Sequence, residues 1–528
     1  MQYVFLTLIY LLYFFIKSTK TLQFLQQNRY NRGNKFIKYI NKHLKNTFFT
    51  VELLYIPLLI LLWLFNKKYI YVFVIFYVFL SVYKLYVKKH EQKKQPLVYT
   101  KRIIRLYLTL IVIYGLVLYL GYVLLSKDYF FIYMTLLWIL IYFDSYVAIF
   151  ANIMNTPEEK LVGLYFKKKA MNKLKKMENM KVIGITGSYG KTSSKNILSD
   201  ILNIKYNAFP TPKNFNTPFG IMRTINEHID KFNDFFIAEM GACKKGEIKE
   251  LCDLCHPTYG ILTKIGVAHL ETFGSEETIQ KTKFELIESL PKEGVGILNM
   301  DDPKQVSYQG KFKCSILWIA IDNKKADLYA HDIKLSSSGT TFKIHFKDEN
   351  KDYEFTTKLL GRANIYNILA GVALGNYLNI SKDQLVLAVK KVLPVEHRLQ
   401  MKPYYDMHLI DDAYNANPDG CKMALDVLKM MDGKRIVISS GMIELGDLSD
   451  SLHLELGEYM SDKADEVILI GKEQTKMIYK GLIKNKFNEK NIHVLNNIKD
   501  AFSLLNKLKD KETYVLLQSD LPDIFNEK

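Results

Sequence analysis

The sequence predicts an α-helical membrane region followed by an α/β part, the latter a P-loop central domain joined to a Rossmann-like carboxyl-terminal domain. Three observations predict this. Residues 1–155 are apolar runs separated by basic ones. Beyond residue 181, β-branched runs alternate with helical patterns at βαβ spacing, which implies a mostly parallel sheet with helices on both faces. Between the two, Lys181 to Asp200 (KVIGITGSYGKTSSKNILSD) joins a strand, a glycine-bearing loop and a helix start in that order. The expected organisation is a multi-pass region of about five helices over 1–155, a basic linker helix over 156–180, a central nucleotide-binding domain over 181–397 and the last domain over 398–528.

The apolar runs come first. They are Tyr3 to Ile16, Phe48 to Phe65, Tyr69 to Tyr83, Leu106 to Leu125 and Tyr129 to Phe150, of which the last two reach the ~20 residues a full helical crossing needs. The first lacks a basic leader and a small-residue cleavage site, so it reads as retained membrane rather than as a signal peptide. A formal charge of +18 would suit either nucleic acid or an anionic membrane surface. The placement of the charge decides between them. Lys17 to Lys45 and Lys84 to Arg105 carry eight Lys or Arg each, whereas the alternate connections carry only Lys67 and Lys68, and Lys127. By the positive-inside rule the amino terminus is then outside and everything after Phe150 is cytoplasmic, with the lipid bilayer, not nucleic acid, as partner. Glu52 and Asp144 are the acids within the runs, without a basic partner visible in sequence. The helix expected from Asn155 to Met177 carries Lys167, Lys168, Lys169, Lys173, Lys175 and Lys176, as a segment resting on anionic lipid or a solvated linker would.

In the loop after the first strand, Gly187, Ser188, Tyr189, Gly190, Lys191 and Thr192 have the makings of a phosphate cradle. Glycines let backbone N–H groups converge on an anion, a helix N-terminus adds its positive end, Lys191 supplies a point charge, and the Thr192 hydroxyl can ligate Mg²⁺. Ile185 stands where the commoner pattern has glycine. The expected ligand is ATP. Asn214 to Gly220 (NFNTPFG) is a polar turn whose Asn214, Asn216 and Thr217 are candidate substrate contacts. Phe235 to Ala242 reads as a buried strand ending on an acid, which makes Glu239 a metal candidate beside the P-loop strand. Tyr259 to Gly266 is a further strand and turn, followed by His269. Cys252, Cys255 and His256, with Cys243 nearby, could form a metal cluster by count; without a second pair they read as buried thiols in a reducing compartment.

The blocks ITGSYGKTSSK, AEMGACKKGEI, TKIGVAHLETFGS, KTKFELIESLP, GRANIYNILAGVALG, EHRLQ, DDAYNANPDG and GMIELGDLSDSLHLELG, in that order, resemble the Mur ligases of peptidoglycan precursor synthesis over about Met180 to the end. AEMGA, DDAYNANP and MIELG are most similar to the members that add D-alanyl-D-alanine. The resemblance implies an ATP- and Mg²⁺-dependent carboxylate–amine ligase working through an acyl phosphate. It implies that His269 helps hold a second magnesium, that Lys283 is carbamylated to make a metal-binding group, that Asn364 and Asn367 contact adenine, that Arg398 reaches the γ-phosphate and that Asp412 lies near the ribose. It further implies substrate roles for Tyr414, Asn415 and Asn417.

The sequence departs from the family at three points. Ala363 replaces a usual histidine, Leu517 to Asp523 stands where a lysine-glycine-serine segment is usual, and membrane runs stand where a uridine-diphosphate-binding domain is usual. The expected partners are therefore a cell-wall peptide precursor, lipid-linked or of another kind, and an amino-acid or dipeptide amine. Two other readings stand beside this one: a transporter with a soluble ATPase domain, against which count the single P-loop and the eight blocks, and a non-catalytic Mur-like scaffold of envelope synthesis.

Overall fold

The computed structural model describes residues 2–30, 34–65, 69–90, 96–123, 129–267, 270–336, 339–414, 417–443, 445–510 and 512–519. The chain divides into two units, one formed chiefly by residues 1–164 and the other by 165–521.

The first unit is helical. Val4–Gln27, Ile70–Lys89 and Lys101–Gly121 are long and apolar enough to cross a membrane; Phe130–Tyr142 and Asp144–Met154 form a pair bent by 76°, and Val51–Leu64 is a shorter apolar helix. About five helices of unequal length were expected; the second run is the shorter helix, and the fifth is the bent pair. Each carries a buried acid that has to meet partners inside the unit. Glu52 opens the short helix and Asp144 sits at the bend.

Neither acid is unmatched, as the sequence alone suggested. The Tyr13 hydroxyl donates to Glu52 Oε1 at 2.6 Å, and the Lys17 and Lys84 ammonium groups lie 3.1 and 3.3 Å from it. Asp144 Oδ1 accepts from Ser18 and Tyr114, both at 2.9 Å. Asn152 and Asn155 are also buried, while Trp63, Leu64, Phe150, Ile153 and Met154 are exposed. The interior is mainly apolar, but it also holds these polar groups, while large apolar side chains face outward as they rarely do on a bundle that faces water.

The second unit is α/β with two mixed sheets. In the larger one, β1 (Lys181–Thr186), β2 (Ala208–Pro210), β3 (Phe235–Glu239), β4 (Tyr259–Leu262), β5 (Val295–Asn299), β6 (Ser315–Ala320), β7 (Leu328–Ser336), β8 (Gly339–Phe346) and β9 (Lys351–Thr357) stand in the order β2-β3-β1-β4-β5-β6-β7-β8-β9. Pairing is parallel from β2 through β7 and antiparallel across β7, β8 and β9. Both faces of the parallel part are covered, as its unbroken burial requires. Helices Lys191–Leu202 and Arg362–Tyr377 pack on one face, and helices Pro218–Glu227, Glu247–Cys255 and Glu276–Glu288 on the other.

The smaller sheet comprises β10 (Gln400–Tyr404), β11 (Met407–Asp412), β12 (Lys434–Ser439), β13 (Glu466–Ile470), β14 (Ile492–Leu495) and β15 (Thr513–Gln518), in the order β10-β11-β15-β12-β13-β14. Only the β10 edge is antiparallel. Leu360, just before the helix that completes the first sheet's packing, belongs to the second sheet's core with Leu399 and Val427.

Candidate functional site

The site forms where three neighbouring strands end. The chain leaves β1 for β2 at the edge, comes back to pair with β1 at β3 and then crosses to its other side at β4, so the loop after β1 lies where the strand order reverses, the usual crevice for a ligand in an open parallel sheet. Glycine is required in this loop at two positions. Gly187 has φ +148°, and a Cβ there would sit 2.0 Å from Thr263 Oγ1. Gly190 has φ +79° and is the residue before helix Lys191–Leu202, a left-handed conformation that costs side-chain-bearing residues ~1–2 kcal/mol. The β4 end fastens the loop: Ser188 N donates to Lys264 O at 2.7 Å, Ser188 Oγ to Gly266 O at 2.9 Å, and Thr263 Oγ1 to Tyr189 O at 2.5 Å.

Lys191 Nζ turns back onto the loop, donating to Gly187 O at 2.7 Å and Ser188 O at 3.1 Å. Burial holds this ammonium below the ordinary lysine range, with the Glu239 carboxylate pulling the other way and the Arg398 charge adding to the depression. The Thr192 hydroxyl lies 3.1 Å from Glu239 Oε1, and Asn216 Nδ2 donates to the same oxygen at 3.1 Å. Glu239 is the last residue of β3 and is 1% exposed. Asn216, expected at the substrate, is thus on the metal-candidate carboxylate. Thr217 caps helix Pro218–Glu227, its hydroxyl accepting from Gly220 N, and Asn214 is exposed.

Lys283, on helix Glu276–Glu288, is 2% exposed, and its ammonium lies 5.5 Å from the centre of the Phe273 ring. Burial, with Lys191's charge in support, pulls it down to about 7. His269 and Asn415 lie outside the described residues. Asn364 and Asn367 occupy the first turns of helix Arg362–Tyr377; Asn364 Nδ2 donates to Leu360 O at 2.9 Å, and Asn367 Oδ1 would lie 3.2 Å from a Cβ on Gly190. The adenine-side pair therefore borders the phosphate-side loop.

Arg398 is bracketed by two non-glycine residues in the left-handed region, His397 (φ 60°) and Leu399 (φ 48°). Local strain of this kind persists where the surroundings fix it. Here β11 does so: Asp411 accepts from His397 Nδ1 at 2.8 Å and Lys402 Nζ at 2.7 Å, and Asp412 Oδ1 from Leu399 N at 3.2 Å. Burial lowers the Arg398 guanidinium below its usual range while Asp412, Glu239 and Tyr414 favour its charge. The Tyr414 ring lies 4.7 Å from that of His397, and Asn417 Oδ1 caps helix Pro418–Lys429 by accepting from Gly420 N at 2.8 Å. Cys252 and Cys255 are buried in the core on helix Glu247–Cys255, and burial pushes the Cys252 thiol up to about 12.

Sequence reasoning missed Lys195. One turn beyond Lys191, it is fully buried with Nζ 3.2 Å from Glu239 Oε2, and it also donates to Lys213 O. A lysine four residues after the loop lysine, on the same helix face, was the available signal.

Comparison with known proteins agrees with this geometry. The family model described as Mur ligase middle domain matches residues 185–375, and that described as Mur ligase, glutamate ligase domain matches 397–520. The UDP-N-acetylmuramoyl-tripeptide–D-alanyl-D-alanine ligase of Bacillus subtilis is 32% identical over 296 residues, 55% of this chain and 63% of that protein. The ligase of the same name from Buchnera aphidicola subsp. Acyrthosiphon pisum is 30% identical over 328 residues, 60% of this chain and 71% of that one. The chain thus spans slightly less than two thirds of the first of these relatives. The crystal structure of MurF ligase from Thermotoga maritima in complex with ADP superimposes with a TM-score of 0.61 at 25% identity, covering 69% of this chain and 81% of that one. From the strand-end loop through the second sheet, the chain belongs to the Mur ligase family.

Proposed function

We propose that this protein is a membrane-anchored, ATP-dependent ligase that forms an amide bond between a carboxylate of a cell-wall peptide precursor and the amine of D-alanyl-D-alanine or a related compound. The observation that carries the reading is the grouping of Lys191, Thr192, Glu239, Lys283 and Arg398 around one glycine loop at the ends of β1 and β3. Phosphoryl transfer needs positioning and charge neutralisation more than covalent chemistry, and these side chains supply both.

In the reaction we envisage, a substrate carboxylate oxygen attacks the γ-phosphorus of ATP. The bond to the β-phosphate oxygen breaks, and ADP leaves. The amine nitrogen then attacks the acyl carbon, the carbon–oxygen bond to phosphate breaks, and the amine gives up a proton. Lys191 would exchange its two loop carbonyls for phosphate oxygens, a short movement for a side chain already seated in the loop. Arg398 offers a fixed charge and a forked donor set to the transferred group. Asp412 would hold the ribose, and Asn364 and Asn367 the adenine.

Thr192 and Glu239 form an all-oxygen pair at 3.1 Å, of the hard-donor kind that Mg²⁺ takes alongside phosphates, so the residues fit that ion. Bound there, Mg²⁺ would neutralise phosphate charge. Lys283, once carbamylated, would present an anion from helix Glu276–Glu288, and the family resemblance assigns His269 to a second magnesium. Tyr414, Asn415, Asn417, Asn214, Asn216 and Thr217 remain the candidates for the acyl and amine substrates.

The membrane part of the proposal rests on the three long apolar helices and on the buried Glu52 and Asp144 beneath exposed apolar side chains. It places the catalytic domains in the cytoplasm, the amino terminus outside, and a lipid-linked precursor within reach. Full-length protein in detergent should release ADP from ATP only when a precursor carboxylate and D-alanyl-D-alanine are both present, and Lys191→Ala should abolish it. Substrate-independent hydrolysis stimulated by a solute would favour a transporter. Nucleotide binding without turnover on any envelope precursor would favour a scaffold.

A further inference from the structure

We infer that Lys195 is a positioning residue that keeps the Glu239 carboxylate charge-balanced, so that the site accepts a divalent cation only together with a nucleotide's phosphates. The inference rests on the reading of Glu239 as the metal-side carboxylate. Lys195 and Glu239 are buried to 0% and 1% exposure, with Nζ and Oε2 3.2 Å apart. The other carboxylate oxygen is already taken by the Thr192 hydroxyl and the Asn216 amide. Oε1 thus has two donors, whereas buried Oε2 has no hydrogen-bond donor among the described residues and faces only the Lys195 ammonium. Its negative charge is cancelled by an ammonium that cannot swing into water, because Lys213 O and the core around helix Lys191–Leu202 hold it.

A divalent cation arriving alone would meet no net negative charge and a buried positive one beside it. Among the described residues, no group of three or more His, Cys, Asp or Glu stands ready to hold a metal. Nucleotide phosphates alter this balance. They bring the missing negative charge and oxygen ligands to the loop that faces Glu239, and the cation can then share the carboxylate with Lys195. Two lysines on successive turns thereby divide the work: Lys191 attends the phosphates and Lys195 the carboxylate.

The test is Mn²⁺ binding, followed by electron paramagnetic resonance, to full-length protein in detergent with and without ADP. Wild type should bind Mn²⁺ at least ~10-fold more tightly with ADP than without it. Lys195→Met should gain nucleotide-free Mn²⁺ binding by about tenfold, and Lys195→Arg, which keeps the charge, should behave as wild type. Equal Mn²⁺ affinity of wild type with and without ADP overturns the inference. So does a folded Lys195→Met protein whose nucleotide-free affinity is unchanged. If Lys195→Met does not fold, the wild-type comparison and Lys195→Arg still decide. Glu239→Gln separates the two claims. Unchanged ADP-dependent Mn²⁺ binding in that variant sinks the metal role of Glu239 itself, whereas its loss together with an inert Lys195→Met sinks only the role of Lys195.

Discussion

Lys283 provides the most quantitative test of the site. Its ammonium, buried on helix Glu276–Glu288 and close to the charge of Lys191, is pulled down to about 7. At pH 7 about half of it is then neutral, against roughly one part in 2,500 for an ordinary lysine near pKa ~10.4. The free amine that can react with CO₂ is therefore enriched about a thousandfold. In that reaction a nitrogen–carbon bond forms and a proton leaves to solvent, turning a cation that repels Mg²⁺ into an anion that can ligate it. With ¹³C-bicarbonate at pH 8, the protein should show a carbamate resonance that Lys283→Ala lacks. Depletion of CO₂ should lower ligase turnover, bicarbonate should restore it, and a short carboxylic acid should partly rescue Lys283→Ala. Incorporation should fall steeply as pH drops below 7. The sign for stability follows from the same shift. The folded state holds this proton less tightly than the unfolded chain, so unmodified Lys283 costs stability below about pH 7, and the cost is relieved as pH rises toward 10. Lys283→Met should accordingly raise the melting temperature at pH 6 more than at pH 9. A lysine that stays unmodified at pH 8 in saturating bicarbonate, with turnover indifferent to CO₂, would refute the reasoning.

Three further substitutions probe separate parts of the chain. Gly190→Ala forces a side chain into the left-handed region beside Asn367 and should cost ~1–2 kcal/mol of stability, with ADP affinity falling in isothermal titration. Asn417→Ala removes the cap of helix Pro418–Lys429 and should cost about 1 kcal/mol, which Asn417→Asp should largely restore in a denaturant titration. If the two variants share a raised KM for the amine, Asn417 touches substrate as well as its helix. Glu52→Gln leaves Lys17 and Lys84 without their shared counter-charge and should destabilise the helical unit by about 3 kcal/mol, the low end for a buried pair because both lysines are partly exposed, seen as a lower melting temperature in detergent.

What could be read from the sequence was local. Gly187 to Thr192 is legible because strand, glycine loop and helix start are contiguous, and Glu239 because a buried strand runs into an acid. Apolar runs bounded by turn residues predict strands His408 to Asp412 and Arg435 to Ser440 and helices Gly420 to Met430 and Leu452 to Met460, each within three residues of the observed β11, β12, Pro418–Lys429 and Ser449–Met460. The spacing of Lys195 from Lys191 is legible, but its burial is not, because that depends on Glu239 from β3 and Lys213 from the loop after β2. The strain at His397 and Leu399 was hidden for the same reason: nothing in EHRLQ signals that Asp411 and Asp412 will hold it. The antiparallel β7 to β9 passed unread although Thr341 to Phe346 alternates polar and apolar, with Phe342, Ile344 and Phe346 all buried. Thr217 and Asn417 show the converse. Each precedes a proline and caps a helix, a signal that a family-based reading of substrate contacts overlooks.

In the helical unit, side-chain contacts order the helices in a way that their lengths alone do not. Helices Gln2–Gln27 and Ile70–His90 run parallel, because Tyr10 and Tyr13 both pack on Tyr77 while Lys17 and Lys84 meet at Glu52. Two parallel helices cannot follow one another without a return segment. The described helix that can serve is Tyr55–Leu64, which leaves the level of Glu52 and reaches that of Tyr77 by its first residue. Helix Lys101–Val123 then runs against the first, with Phe14 on Tyr114, Tyr107 bonded to Thr19, and Gln26 bonded to Val98. Phe130–Tyr142 runs with it again, Tyr10 reaching Leu137 and Ser18 reaching Asp144. Five segments thus alternate in direction through one polar level marked by Lys17, Ser18, Glu52, Lys84, Tyr114 and Asp144. On one side of that level each offers an apolar length of only ~14–21 Å at 1.5 Å per residue, less than the ~30 Å of a hydrocarbon core. Three helices pass a length test because they continue beyond the level into the lysine-rich side. The shortfall costs fractions of a kcal/mol per Å through bilayer thinning, and the lysine stems can reach outward to reduce it. Alternation also brings Lys17 and Lys84, which open the two lysine-rich segments, to one level. The buried ion pair at Glu52 therefore adds to the membrane proposal what length does not: it sets helices Gln2–Gln27 and Ile70–His90 parallel about one polar level.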